Sequence, residues 1–236
     1  MLHRTPSLSR LAVAATVALA ACGEAADVRS PGRGATPLVA LLASPAGAPA
    51  ERLRSGDLQA ARAGFEAELG SDPDRLGALN DLAVTYVLEG HADAARRLLD
   101  EVVSNGGPRD QQAGLVNLGE LYAAEGYLSA ASAYLETARG IDPSRPEPWY
   151  ALALLADSRG ELGGARAALR EALRLDEGGQ ARSAFAFVYV EERVHLEALV
   201  AEQAGERSAA VAGWRALAGG RFPALAAAAE RHLAGD

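Results

Sequence analysis

Apolar residues recur along most of the chain with a helical period. Leu79, Leu82, Ala83 and Tyr86 lead up to Gly90, and Leu115, Leu118, Gly119 and Tyr122 repeat the same spacing before Gly126. Positions i, i+3, i+4 and i+7 lay one apolar stripe along a helix, and the glycine that follows ends it. A second stripe starts after each glycine. Gly56 is followed by Ala61 and Phe65, Gly90 by Ala95 and Leu99, Gly126 by Ala131 and Leu135, Gly160 by Ala165 and Leu169, and Gly205 by Ala210 and Trp214. The steps between these glycines are 34, 36, 34 and 45 residues. A unit of two helices repeated at this period predicts an all-α solenoid of about four to five helix pairs over residues 50–222.

Proline and small residues mark where the pattern bends. Pro73 and Pro143, each after an aspartate, are expected to stop the second helix of a pair. Pro45 and Pro49 leave the first pair only a short turn from about Ala50 as its leading helix. The fourth unit keeps Trp149 and Leu152 but has Ala153 and Ala156 at its following positions, and the fifth follows an insertion and lacks most of its leading stripe. In that insertion Phe185, Phe187 and Tyr189 alternate as in a strand. Phe185, Val188, Tyr189, Leu196, Leu199 and Val200 also form a helical stripe, and the flanks favour helix. The three aromatics are candidates for a docking patch or for packing against the neighbouring helices. Residues 223–236 begin with Pro223 and are expected to form the terminal capping helix that a solenoid needs.

The N-terminus follows a different rule. After His3, Arg4 and Arg10, residues 11–21 run "LAVAATVALAA" without charge. This is a signal pattern over residues 1–21, and the run falls short of the roughly 20 residues of a membrane span. Residues 22–49 are rich in Gly, Ala, Pro and Ser and are expected to be a flexible tether. The apolar patch Leu38 to Leu42 inside it is expected to cover the first repeat's apolar face.

Composition narrows the class. The chain has 236 residues, 49% hydrophobic but only 5% aromatic, which suits closely packed alanine-rich helices. A formal charge of −8 argues against nucleic acid as partner. Cys22 is the single cysteine, so no internal disulfide forms. His3, His91, His195 and His232 lie in separate segments without metal-ligand or catalytic spacing, so no metal, cofactor or catalytic residue is assigned and an enzyme is not expected.

Two resemblances follow from these residues. The run Leu79–Tyr86 to Gly90, then Ala95 and Leu99, with prolines closing the units, resembles the tetratricopeptide repeat. Leu19, Ala20, Ala21 and Cys22 resemble the lipobox of bacterial lipoproteins. The second implies diacylglyceryl attachment at Cys22, a lipid anchor in the outer or inner membrane, and a chain facing the periplasm. The first implies a concave groove for a protein partner, lined by Asn80, Val84, Val87, Asn117, Glu120, Tyr150, Leu154, Asp157, His195 and Glu202. Together they imply an envelope scaffold or adaptor, with pilus or secretion assembly as analogies. A self-assembling scaffold and a partner subunit of a cell-wall enzyme are the alternatives.

Overall fold

The computed structural model describes residues 36–235. The signal pattern and Cys22 lie outside the described residues. Helices follow in antiparallel pairs: α1 (Ala48–Arg54) with α2 (Leu58–Ser71), α3 (Leu76–Leu88) with α4 (Ala92–Asn105), α5 (Pro108–Ala124) with α6 (Leu128–Ile141), α7 (Glu147–Ser158) with α8 (Leu162–Leu175), and α9 (Val190–Ala204) with α10 (Arg207–Leu217). A last helix, α11 (Pro223–Ala234), packs on α10 and reaches back to α7. Each second helix touches the first helix of the next pair, and α3, α5, α7 and α9 also contact one another in sequence, forming one continuous inner row. This is the expected all-α solenoid.

The turn inside each pair explains the recurring glycine. Gly56, Gly90, Gly126, Gly160 and Gly205 have φ between 77° and 87°, a left-handed conformation that costs a side chain strain. The residue after each glycine donates its N–H five residues back, as His91 does to Tyr86 O and Tyr127 to Tyr122 O, both at 2.8 Å. That bond satisfies a carbonyl the helix end would otherwise leave open. Close approach explains Gly119: a Cβ there would lie 2.8 Å from the Leu135 side chain across the α5–α6 contact. Ala83, Ala95, Ala131 and Ala165 are likewise buried.

Three expectations change. The leading helix of the first pair is a full two turns, because Pro49 falls in its first turn, where no backbone N–H is needed. The insertion is not α-helical before Val190. Residues Ala181–Ala184 form a 3₁₀ turn, and Phe185–Ala186 form strand β2. The third difference is the largest. From Thr36 onward the expected tether is part of the core: Thr36, Leu38, Val39, Ala40, Leu41 and Leu42 are each no more than 3% exposed. Within this strap, strand β1 (Ala40–Leu41) pairs antiparallel with β2, Ala40 opposite Ala186 and Leu41 opposite Phe185. Ala40 and Leu42 share a cluster with Leu53, Phe65, Leu82 and Val84, so the patch does cover the first pair. Leu38, Val39 and Leu41 go further and join the main core with Leu115, Leu118 and Tyr150.

Candidate functional site

The inner row of first helices carries polar side chains at positions that face the strap. On α3 these are Asn80 and Asp81, and on α5 Asn117 and Glu120; all four are 1% exposed or less. Burying such groups costs about 1–3 kcal/mol each unless they are paired. The strap's main chain supplies the partners. Leu38 N–H donates to Glu120 Oε2 at 2.5 Å, and Leu41 N–H to Asn117 Oδ1 at 2.6 Å. Leu41 C=O accepts from the amides of both Asn80 and Asn117 at 2.9 Å. Ala43 and Ser44 N–H groups donate to the two oxygens of Asp81 at 2.7 and 3.0 Å. Asn117 also donates to Asn80 Oδ1 at 2.8 Å, which fixes the orientation of both amides.

Burial dominates the electrostatics of this half. It pushes Asp81 up to about 6, against the lowering effect of hydrogen bonds from Asn80, Ala43 and Ser44. Glu120 rises well above the usual carboxylate range through burial. Glu192, at the start of α9, rises through burial and then through the charge of Glu120. Two carboxylates in so dry a place cannot both ionise cheaply, so the pair keeps a proton at neutral pH.

Apolar burial of Leu38, Val39, Leu41 and Leu42 contributes about 1.5–3 kcal/mol per side chain. Ordering the backbone of residues 36–44 costs about 1–2 kcal/mol per residue. Ordering offsets all or more of the apolar gain, so the main-chain hydrogen bonds decide whether the strap stays in place.

Further along the row the concave side is closed by a different chemistry. Asp157 on α7 accepts from His195 Nε2 on α9 at 2.7 Å and from His232 Nε2 on α11 at 2.8 Å. The Nδ1 of His232 lies 2.7 Å from Glu202, which also accepts from Trp214 Nε1 at 3.0 Å. Trp214 stacks on His232 with centroids 4.1 Å apart. Arg231 donates to the Asp157 carbonyl at 2.7 Å. Burial alone would raise Asp157, but the hydrogen bonds from the two histidines outweigh it and hold its carboxyl well below the usual range. Burial likewise opposes the charge on His232, yet Asp157 and Glu202 raise its pKa. With a carboxylate on each ring nitrogen, His232 is an imidazolium. A cavity of about 210 Å³ adjoins the cluster beside Leu162, Arg166 and Gln203. Among the described residues no group of His, Cys, Asp and Glu is arranged to hold a metal ion.

The residues expected to line a groove are therefore brought together, but not as an open surface. Asn80, Val84, Asn117, Glu120, Tyr150, Leu154, Asp157 and His195 are all buried, whereas Val87 and Glu202 are partly exposed. Tyr150 donates to Asp176 at 3.1 Å and meets the edge of Phe185 at 5.8 Å. The three aromatics of the insertion do not form one patch. Phe185 is in the core, while Tyr189 packs on Phe222 at 4.9 Å under the Arg221 guanidinium and Phe187 is half-buried. Sequence reasoning did not find Asp81 and Glu192 in this row, Trp214 on α10 and His232 on α11 as groups that close it, or the reach of the Leu38–Leu42 patch beyond the first repeat. The apolar patch Leu38 to Leu42, inside an uncharged run from Gly34 to Ala50, was the available signal.

A solenoid of helix pairs, with polar inner-row side chains that grip an extended segment by its main chain, defines a scaffold for protein interaction. Residues 52–119 match a family model described as tetratricopeptide repeat, and residues 113–145 and 146–178 match a second model of the same description. The chain belongs to the tetratricopeptide-repeat family. Among solved structures it is similar to the crystal structure of MamA, with 20% identity and a TM-score of 0.43 over 81% of this chain and 99% of that one. Comparison with curated proteins gives no match.

Proposed function

We propose that the protein is a lipid-anchored adaptor of the bacterial envelope, facing the periplasm, which recruits a protein partner through its repeats and performs no chemistry. The observation that carries the recruiting role is the main-chain grip of Asn80, Asn117, Asp81 and Glu120 on an extended segment. Side chains that bond peptide N–H and C=O groups, with apolar sockets between them, are the apparatus of extended-peptide recognition. The address rests on Leu19, Ala20, Ala21 and Cys22 after an uncharged apolar run. Two or more acyl chains at Cys22 would suffice for stable anchoring, at about 0.8 kcal/mol per buried methylene. Anchoring would also raise the local concentration of the repeats near membrane partners.

The reading without catalysis draws on the buried His195–Asp157 pair. His195 bonds Asp157 through Nε2, and its Nδ1 is buried without a hydrogen-bond partner among the described residues, so no nucleophile adjoins it. The experiment for the address is fractionation of Cys22→Ala, which should move from membranes to the soluble periplasmic fraction. Retention in membranes would overturn the anchor. Crosslinking in intact envelopes followed by mass spectrometry should recover a discrete partner; recovery of this chain alone would favour the self-assembling scaffold.

A further inference from the structure

We propose that residues 36–44 are a displaceable gate: they close the concave groove in cis, and the groove opens to an extended, uncharged, aliphatic segment of a partner protein that takes their place. The inference rests on reading the repeats as a protein-binding scaffold and is independent of the lipid anchor.

The polar contacts carry no memory of the strap's side chains. Asn80, Asp81, Asn117 and Glu120 all bond main-chain atoms of Leu38, Leu41, Ala43 and Ser44, which any non-proline segment would present. Selectivity comes from the sockets and from charge. The sockets enclose Leu38, Val39, Leu41 and Leu42 completely. Asp81, Glu120 and Glu192 stand around them, and the strap carries no charge from Gly34 to Ala50. A carboxylate inserted here would be buried beside other carboxylates, so an acidic segment is rejected.

The strap's connections suit departure. It precedes the first helix pair, so it leaves without separating any pair. The joint that follows it, Ala46 to Ala48, is exposed, and Gly47 there has φ 104°. Arg54 ties the joint by donating to the Pro45 and Ser183 carbonyls. On the outer side the strap pairs with β2, and its Leu42 and Thr36 N–H groups donate to the Ala184 and Ala123 carbonyls at 2.8 and 3.0 Å, main-chain bonds that a replacement segment can remake. Because ordering offsets the apolar gain, the strap is held by hydrogen bonds that can be remade in this way. Covalent attachment gives the strap an effective concentration of order millimolar, so a free peptide at about 10 µM is outcompeted roughly 100-fold while the gate is attached.

Amide hydrogen exchange on the intact chain tests the gate. Leu38, Leu41 and Ala43 amides should exchange through local opening, about 100-fold or more faster than buried amides of α5 and α7. Exchange of the strap only with global unfolding would overturn the proposal. The occupant is tested by replacing residues 45–47 with a protease site, cutting it, and titrating a labelled synthetic peptide of residues 34–46. The peptide should bind saturably and about 100-fold more tightly to the cut protein than to the intact one, and a peptide carrying Val39→Asp should not bind. Equal binding of both peptides, unfolding on cutting, or strap-exchanged dimers that exclude the peptide would each overturn it. Locking the strap with an Ala40→Cys/Ala186→Cys disulfide separates this idea from the adaptor reading. Undiminished partner capture by the locked protein leaves the adaptor standing and removes the gate.

Discussion

The two halves of the concave side are closed in opposite ways. Over α3 and α5 an extended stretch from the N-terminal side lies in the groove, held by amide and carboxyl side chains that bond its backbone. Over α7 and α9 the C-terminal helix α11 is held instead by a buried ionic cluster, His232 and Arg231 reaching Asp157 from 75 and 74 residues away. The first grip's hydrogen bonds read main chain, so any uncharged aliphatic segment that fills the sockets can satisfy it. The second needs particular side chains at particular places and admits no substitute. One end of the groove is therefore built for exchange and the other for permanence, although both use residues of the same inner row.

The contrast can be broken most severely from the core they share. Tyr150→Ala with Leu154→Ala empties two fully buried positions between the halves. At about 2–5 kcal/mol each, the pair would consume most of an ordinary domain's stability. The outcome should be loss of the cooperative urea transition and of helicity by circular dichroism, not a folded protein with a weakened surface. Next in size is Asp157→Ala, which leaves His195 and His232 without their shared carboxylate. A loss of about 3–5 kcal/mol is expected in urea unfolding, because breaking a buried pair strands its partners. Asn117→Ala should be milder, about 1–3 kcal/mol, and should speed exchange at Leu41 without exposing α11. Equal loosening of both ends would contradict the independence of the two closures.

Acidity sharpens the comparison further, with a smaller effect. Asp81, Glu120 and Glu192 bind protons more tightly in the folded chain than their ordinary values allow. Between those ordinary values and the folded ones the folded state holds more protons, so stability falls as pH rises. His232 acts in the same direction: its contribution is complete below about 6.5 and is lost as pH rises through its raised folded value. Asp157 has the opposite sign. Its contribution is complete above about 3.9 and is lost as pH falls toward its depressed value. The urea midpoint should therefore be higher near pH 5 than near pH 8.5, with a fall on the acid side below about pH 4. In Asp157→Ala the acid-side fall should shrink while the alkaline fall from the strap half remains. A midpoint that rises from pH 5 to 8.5 would contradict the assignment.

The repeat architecture was legible because its causes are local. A glycine forced to positive φ and an apolar stripe of period 3.6 leave marks within one 34-residue window, and Gly90 with Leu79, Leu82 and Tyr86 is enough to see them. Asn80 and Asn117 were expected on the concave side and do lie in the inner row, buried rather than open, while Asp81 and Glu192 beside them were missed. What covers that row was legible only in part: the patch Leu38 to Leu42 was expected over the first repeat, but not its reach to Leu115, Leu118 and Tyr150. The strap's β1 is two residues long, and its partner strand lies about 145 positions downstream, so neither half of the pairing has a pattern of its own. The same blindness made Phe185 look helical, since its stripe with Val188 and Tyr189 fits period 3.6 as well as the strand it forms. His232 looked like part of a solvated cap because the three groups it meets, Asp157, Glu202 and Trp214, come from three other helices.

The central claim is that the chain's own residues 36–44 fill the concave face. In a Cys22→Ala background, Ala40→Cys with Ala186→Cys places two thiols on directly opposed residues of the β1–β2 pair. Such pairs have Cα atoms about 5.5 Å apart, within disulfide reach. Air oxidation should give an intramolecular disulfide in nearly all molecules at dilute concentration, with helicity unchanged and the strap amides newly protected to the level of the core. Thiols that stay free, or that crosslink only between molecules, would contradict the account.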